Sequence, residues 1–413
     1  ESPLLLAYLA PSPWAKSNTT PPQLPADLLA RLGNPIIDLK VLLPGATNSI
    51  RSAVYDGDTN TVAQYLEVEP RLATSPNAAG QLLIDQTVPR LRADVARQLL
   101  AAGSPLTPGA AVMLGRIDAL PGLCNSLAPR ERDLLLFTAV KARQPAALRW
   151  LLEHGANPNV QDNTGRTLKS RLGSGDDAGL EDLLTAHGAE PNLFDALAGR
   201  DTALAEKLLR QQPELAHQTN SAGQPPLLLA ILYTNDTLFH RLLELNADVR
   251  LGTPRGFTPL HAAAAVDRAD FATNLLARGA NPNARDQFFN TPLHWAAHAG
   301  ATSVVAALLE AGVDIDTPSI QVLPGGREPV GDFNTPLHAA VESYQAATVA
   351  WLLAHGADRS RTNSFGFTPL EAARRTPPML SPHVAEPGMP TRALARDETQ
   401  RDAIIQQLEA VDE

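Results

Sequence analysis

Apolar residues in this chain fall into short groups that return at a near-constant interval. Leucine pairs stand at 151/152, 183/184, 208/209, 242/243, 275/276, 308/309 and 352/353, at steps of 32, 25, 34, 33, 33 and 44 residues. Each pair reads as the buried stripe of a short helix. Gly279 follows one pair where a left-handed residue ends a helix. A second apolar group, small and alanine-rich, opens the interval: Leu260, Ala262 and Ala263 make a narrow face that neighbouring helices approach closely. Thr258 before it suits an N-cap, its hydroxyl accepting from an orphan backbone N–H. Pro259 suits the first helical position, where a missing N–H costs nothing. The pattern therefore predicts two short helices per interval, joined by a turn and followed by a polar connection.

One phrase recurs almost verbatim. Thr258-Pro259-Leu260-His261-Ala262-Ala263 returns 33 residues later as Thr291-Pro292-Leu293-His294-Trp295-Ala296. Between the copies lies Leu275-Leu276-Ala277-Arg278-Gly279-Ala280-Asn281-Pro282-Asn283. Phrase and period resemble the ankyrin repeat, a helix-turn-helix followed by a β-hairpin finger. The resemblance implies an all-α fold, an ankyrin-repeat solenoid of helix-turn-helix units with short β-hairpin fingers, and about ten or eleven repeats. It is strong over residues 225–373, fair over 134–224 and weak before that. It also implies that His261, His294 and His338 hydrogen-bond neighbouring backbone and brace the fingers, rather than bind metal or catalyse.

Three segments follow. Residues 1–48 form a Pro-rich strap and cap: 11–25 carry five prolines and Trp14, and 26–43 read as a short amphipathic helix and an apolar segment. Residues 49–190 hold degenerate repeats, the least legible stretch being 105–132, broken by Pro121, Gly122 and Pro129. Residues 191–413 hold regular repeats. The step of 25 brings Gly188-Ala189-Glu190-Pro191-Asn192 almost directly into the next helix, so a finger is missing or stunted there. The step of 44 is one period plus 11, an inserted loop near 317–332. A Pro-rich stretch, 376–391, precedes a polar final helix over 397–411 that suits a solvent-facing cap.

Composition narrows the function. Net charge of −10 argues against a nucleic-acid footprint and against anionic membrane surfaces. Cys124 is the single cysteine, so an intramolecular disulfide and a zinc cluster are excluded, and a small buried residue is expected. No stretch approaches the roughly 20 apolar residues of a membrane helix. The numbering opens at Glu1 rather than Met. That fits removal of a leader or anchor, which would make the protein exported or periplasmic; otherwise it is cytoplasmic. Arginine far outnumbers lysine, and Ala, Leu and Pro abound, as in a GC-rich bacterial source. No H-E-x-x-H, G-x-S-x-G, Walker or paired C-x-x-C motif is present. Gly173–Asp177 and Gly325–Glu328 read as turns, and His154, His187 and His355 as helix C-terminal residues. No enzyme activity, cofactor or metal is expected.

Partners of ankyrin arrays usually meet the finger tips and the first-helix face on the concave side. Carried onto this chain, that pattern marks Arg255 and Phe257, then Gln287, Phe288, Phe289 and Asn290, then Phe333 and Asn334, then Phe365 and Phe367. His298 and Tyr344 are added from first helices. Six of the ten phenylalanines fall in these fingers, where exposed aromatics are anchors for a partner. Phe289 replaces the glycine that fingers use for positive φ, as at Gly256 and Gly366, so a reshaped finger is expected there. Phe257 and Phe367 are equally compatible with packing against the next finger. The function expected is recognition of a specific protein partner, to neutralise, chaperone or scaffold it, without homo-oligomerisation. A permanent subunit of a larger assembly, or a catalytic or ligand site on the 317–332 insertion, are the alternatives.

Overall fold

The computed structural model describes residues 46–76, 80–162, 164–172, 178–321, 330–331, 333–375 and 400–410. The strap and cap expected over 11–43, the Gly173–Asp177 turn, the Gly325–Glu328 turn and the Pro-rich stretch from Thr376 lie outside these residues. The chain divides into two compact units, 1–160 with 172–189, and 161–171 with 190–413.

In the first unit, α1 (Ala46–Asp56) and α2 (Thr59–Val68) bury Ile50, Val54 and Val62. Asp58 caps α2, accepting from the Thr61 N–H at 3.0 Å. A 3₁₀ helix, Leu83–Arg90, stands where the next first helix is due, followed by α3 (Ala93–Ala101). Then come α4 (Pro108–Met113), α5 (Leu120–Cys124), α6 (Pro129–Lys141), α7 (Pro145–Glu153) and α8 (Ala178–Ala186). The prolines that obscure 105–132 are helix starters: Pro108, Pro121 and Pro129 sit in the first turns of α4, α5 and α6. Cys124 is buried, and burial pushes its thiol pKa up, as for a small core residue.

The second unit stacks helix pairs: α9 (Leu193–Ala198) with α10 (Thr202–Gln211), α11 (Pro226–Leu232) with α12 (Asp236–Glu244), and α13 (Pro259–Ala265) with α14 (Ala269–Ala277). After them come α15 (Pro292–Ala299) with α16 (Thr302–Glu310), α17 (Pro336–Glu342) with α18 (Ala346–Ala354), and α19 (Pro369–Arg374) with α20 (Arg401–Glu409). First helices pack on first helices. In α13 every residue is buried, and Ala262, Ala263 and Ala264 let the backbones close up. Second helices interlock through larger groups, as where the rings of Phe239 and Phe271 stack at 3.9 Å. One continuous apolar core runs from Leu193 to Leu408. The terminal α20 is polar outside yet buries Ile404 and Leu408, and Arg401 caps α19 by donating to the Ala373 and Arg374 carbonyls.

Fingers connect the pairs, and turns rather than strands hold them. Among the described residues, extended pairing is confined to a Gln161–Thr167 bridge and a ribbon of β1 (Ile320–Gln321) with β2 (Val330–Gly331). That ribbon shows where the extra residues of the long interval enter: they lengthen a finger at its tip. The short interval has the opposite result. Asn192 already caps α9, so Gly188–Asn192 leaves no room for a finger. The finger at 161–167 packs instead on the one at 220–224, the Asn220 side chain donating to the Thr164 carbonyl at 2.8 Å and the Ser221 hydroxyl to the Asp162 carbonyl. Asn192 donates to the Gly165 carbonyl at 2.9 Å.

Gly165 is indispensable at that junction. Its φ is +79°, and an added Cβ would lie 2.3 Å from the Asn220 Cβ. Gly165→Ala is expected to destabilise the second unit by about 2 kcal/mol or more, from the left-handed conformation and the clash together. A fall in thermal midpoint checks it; an unchanged midpoint would mean that the two fingers are not in contact.

Candidate protein-interaction surface

All but one of the described fingers of the second unit turn on one side chain. Asp162, Asn220, Asp286 and Asn363 each accept, through Oδ1, from the backbone N–H groups two and four residues on, at 2.7 to 3.1 Å. These are Asx turns, which replace strand pairing by a side-chain acceptor. Thr253 does the same more weakly, its hydroxyl accepting from the Phe257 N–H at 3.3 Å. The lengthened finger lacks the device: Ser319 stands there, and its buried hydroxyl has no partner among the described residues.

Three residues past the turn-former the backbone enters the left-handed region. Gly165, Gly223, Gly256 and Gly366 hold it, with φ between 73° and 79°. Phe289 holds it at φ 65°, and Phe333 occupies the equivalent place in the lengthened finger at φ 56°. Two consecutive fingers thus carry phenylalanine where steric repulsion of Cβ favours glycine, at a cost of about 1–2 kcal/mol each. Surrounding bonds hold Phe289 in place. Its N–H donates to the Asp286 carbonyl at 2.9 Å, and Arg285 donates one nitrogen to the Phe289 and Pro318 carbonyls, both at 2.8 Å. Burial lowers the Arg285 pKa.

A row of histidines ties the fingers to the first helices. Thr258 N–H donates to His261 Nδ1 at 3.1 Å, so the ring proton resides on Nε2, which donates to the Asn290 carbonyl at 3.1 Å. His294 bridges Thr291 and the Asn334 carbonyl in the same way, and His338 bridges Thr335 and the Phe367 carbonyl. Burial lowers the pKa of His261 and His294 to about 4. These are neutral structural braces, as the repeat phrase implies. Asp286 joins the row to the core, its Oδ2 accepting from the Trp295 indole at 2.9 Å. His154, His187 and His355 act at helix ends, Nδ1 facing the carbonyl four residues back at 2.7 to 2.8 Å.

The expected contact residues divide into two groups. Arg255, Gln287 and Phe365 are exposed; Phe288, Phe289, Asn290, His298, Phe333 and Phe367 are half-buried along the finger row or first-helix face. Phe257, Asn334 and Tyr344, also expected in the contact set, are buried. Phe257 is 1% exposed because the Trp295 ring stands edge-on to it at 5.2 Å. Asn334 turns inward to donate to Glu342 at 3.3 Å, and its carbonyl takes the His294 bond. Tyr344 ends α17 in the left-handed region with its ring in the core. His298 meets the hydroxyl of the buried Ser343, a contact that joins α15 to the end of α17 and exposes no nucleophile. Asp286 and Arg285 escaped notice in the sequence; the Asp or Asn that recurs at 162, 220, 286 and 363, at the start of four fingers, was the available signal. Among the described residues no group of acidic, histidine or cysteine side chains is arranged to hold a metal ion, and no helix is long and apolar enough to cross a membrane.

Comparison with known proteins agrees with this architecture. The ankyrin-repeat family model matches residues 134–163, 289–320 and 332–364, and a model of three ankyrin copies matches 193–286. The chain carries ankyrin repeats over these residues. Neurogenic locus notch homolog protein 1 of Homo sapiens is 30% identical over 164 residues, 40% of this chain and 6% of that protein. Rabankyrin-5 of Homo sapiens is 30% identical over 180 residues, 43% of this chain and 15% of that protein. Mitochondrial disaggregase of Homo sapiens is 28% identical over 188 residues, 42% of this chain and 26% of that protein. The chain therefore spans about a quarter or less of these relatives. Ankyrin repeats are generally non-catalytic modules of protein–protein interaction.

Proposed function

We propose that the second unit recognises one specific protein partner along its row of fingers, centred on Phe288, Phe289 and Phe333, and neutralises or chaperones that partner without catalysis. The observation that supports this is the pair of phenylalanines held at positive φ on consecutive fingers. A backbone strain that glycine would relieve persists where the residue serves something other than the fold. Arg255 and Gln287 flank the aromatics, and the fingers are stitched together by the Gln287 N–H donating to the Arg255 carbonyl at 2.7 Å. Phenylalanines on such a rigid row lose little entropy on binding.

Phe288→Ala/Phe289→Gly separates folding from recognition. Glycine at 289 suits the left-handed backbone, so stability should stay within about 1 kcal/mol of wild type. Affinity for the partner should fall at least tenfold. The check is an affinity pull-down from the native source with both proteins side by side. One stoichiometric partner, retained by wild type and lost by the variant, is expected. A partner that binds both equally would remove the finger row from the interface; no partner with either would sink the recognition reading.

A further inference from the structure

The last finger of the second unit is left open where an earlier one is closed. Phe257 and Phe367 occupy the same position, just before the Thr-Pro that starts the next first helix. Over Phe257 the following first helix lays Trp295, edge-on at 5.2 Å, and Phe257 is 1% exposed. Phe367 precedes α19, and among the described residues no ring takes the place of that tryptophan. Instead the Arg375 guanidinium covers the Phe367 ring at 3.7 Å from its centroid, and Phe365, 53% exposed, lies near-parallel to Phe367 at 6.3 Å and 14°. Phe365 is one of the few large apolar side chains the structure leaves exposed.

We propose that this open column is a docking point for a partner protein presenting an aromatic side chain beside a carboxylate. The proposal rests on the recognition reading above and adds the chemistry of one contact. The aromatic ring would pack on the exposed Phe365 and extend the column that Phe365 forms with Phe367, as Trp295 packs on Phe257 within the array. The carboxylate is called for by Arg375, whose guanidinium lies on a ring and keeps its N–H edge for a planar anion. Glu371, the acid of the same helix, feels the Arg375 charge but commits its Oε2 to the Thr368 N–H at 2.8 Å and the Thr368 hydroxyl at 3.0 Å, and makes no ion pair with Arg375 among the described residues. Asn363 fixes the finger that carries the column, its Oδ1 accepting from both Phe365 and Phe367 N–H groups at 3.1 Å. The two rings are therefore presented on a rigid turn.

The test is selection of a random dodecapeptide phage library on the immobilised full chain. Retained clones are then measured as synthetic peptides against wild type, Phe365→Ala, Arg375→Gln and Phe288→Ala/Phe289→Gly. Phe365 is exposed, so its alanine variant should melt with wild type, which is verified first. The expected result is enrichment of Trp, Tyr or Phe next to Asp or Glu. Those peptides should bind Phe365→Ala at least tenfold more weakly and Arg375→Gln at least threefold more weakly. Clones without an aromatic–acidic pair, or insensitive to Phe365→Ala, overturn the inference. If those clones fail instead on Phe288→Ala/Phe289→Gly, the recognition reading stands and only this docking point falls. If no clone is retained above an albumin-coated control, both fall.

Discussion

Between pH 6.5 and pH 4 the urea-unfolding midpoint of this protein should drop steeply, and the histidine row is the reason. His261 and His294 are wholly buried, and desolvation of the charged form lowers the pKa of each from 6.5 to about 4. The Asp286 carboxylate opposes that shift at His261, and the bonds to the finger carbonyls oppose it at both rings, without overcoming it. His338 is displaced in the same direction. In the unfolded chain the rings take up protons near pH 6.5, whereas the folded chain resists until about pH 4. The unfolded state therefore binds more protons throughout that window, and folding stability decreases as pH falls through it. Above pH 6.5 the contribution is fully present; by pH 4 about 3 kcal/mol per histidine is lost. Midpoints measured at pH 7.5, 6, 5 and 4.5 provide the check. A His261→Gln/His294→Gln variant should be less stable at pH 7.5 and show a shallower decline. A midpoint flat from pH 6.5 to 4.5 in the wild type would mean that these rings are not buried neutral.

Asp286→Ala is expected to be the most damaging substitution in the finger row. Its carboxylate accepts from the Phe288 and Asn290 N–H groups, both at 2.9 Å, and from the Trp295 indole at 2.9 Å. Alanine leaves three donors without an acceptor at a site only 5% exposed. The loss should be about 3–5 kcal/mol, since each stranded buried donor forfeits its solvation as well as its bond. Asp286→Asn retains one oxygen for the turn but sets its amide against the indole N–H, so it should cost about 1–2 kcal/mol. Urea unfolding of both variants measures the difference. Hydrogen exchange over residues 286–297 should accelerate in the alanine variant well beyond the rest of the unit. Equal stability of wild type and Asp286→Ala would show that the turn does not organise the finger.

Much of this was legible along the chain because it is local. A Thr-Pro start, a left-handed glycine stop and a leucine pair are each set by residues within one helical turn, so their recurrence revealed the repeats without knowledge of their neighbours. The short and long intervals were legible too, as arithmetic on the leucine pairs. The prolines at 121 and 129 obscured the 105–132 stretch because the same residue type that breaks a helix also begins one. Phe333 was harder to place. The insertion separates it from its turn-former, so only the coordinates show that it shares Phe289's backbone position.

Sequence alone determined that this is an all-helical ankyrin array, because short-range sterics and capping dictate its recurring helices, and the resemblance of its repeat phrase implied that the histidines brace fingers. Exposure was decided by the tertiary structure. Phe257 and Phe367 are the same residue in the same local context, and the first is sealed by Trp295 from the next first helix while the second meets Arg375 and the exposed Phe365. The finger at 161–167 likewise found its partner at 220–224 across a repeat that has no finger. Neither outcome is written near the residues it governs, since which side chain covers a ring depends on packing between segments far apart in the chain.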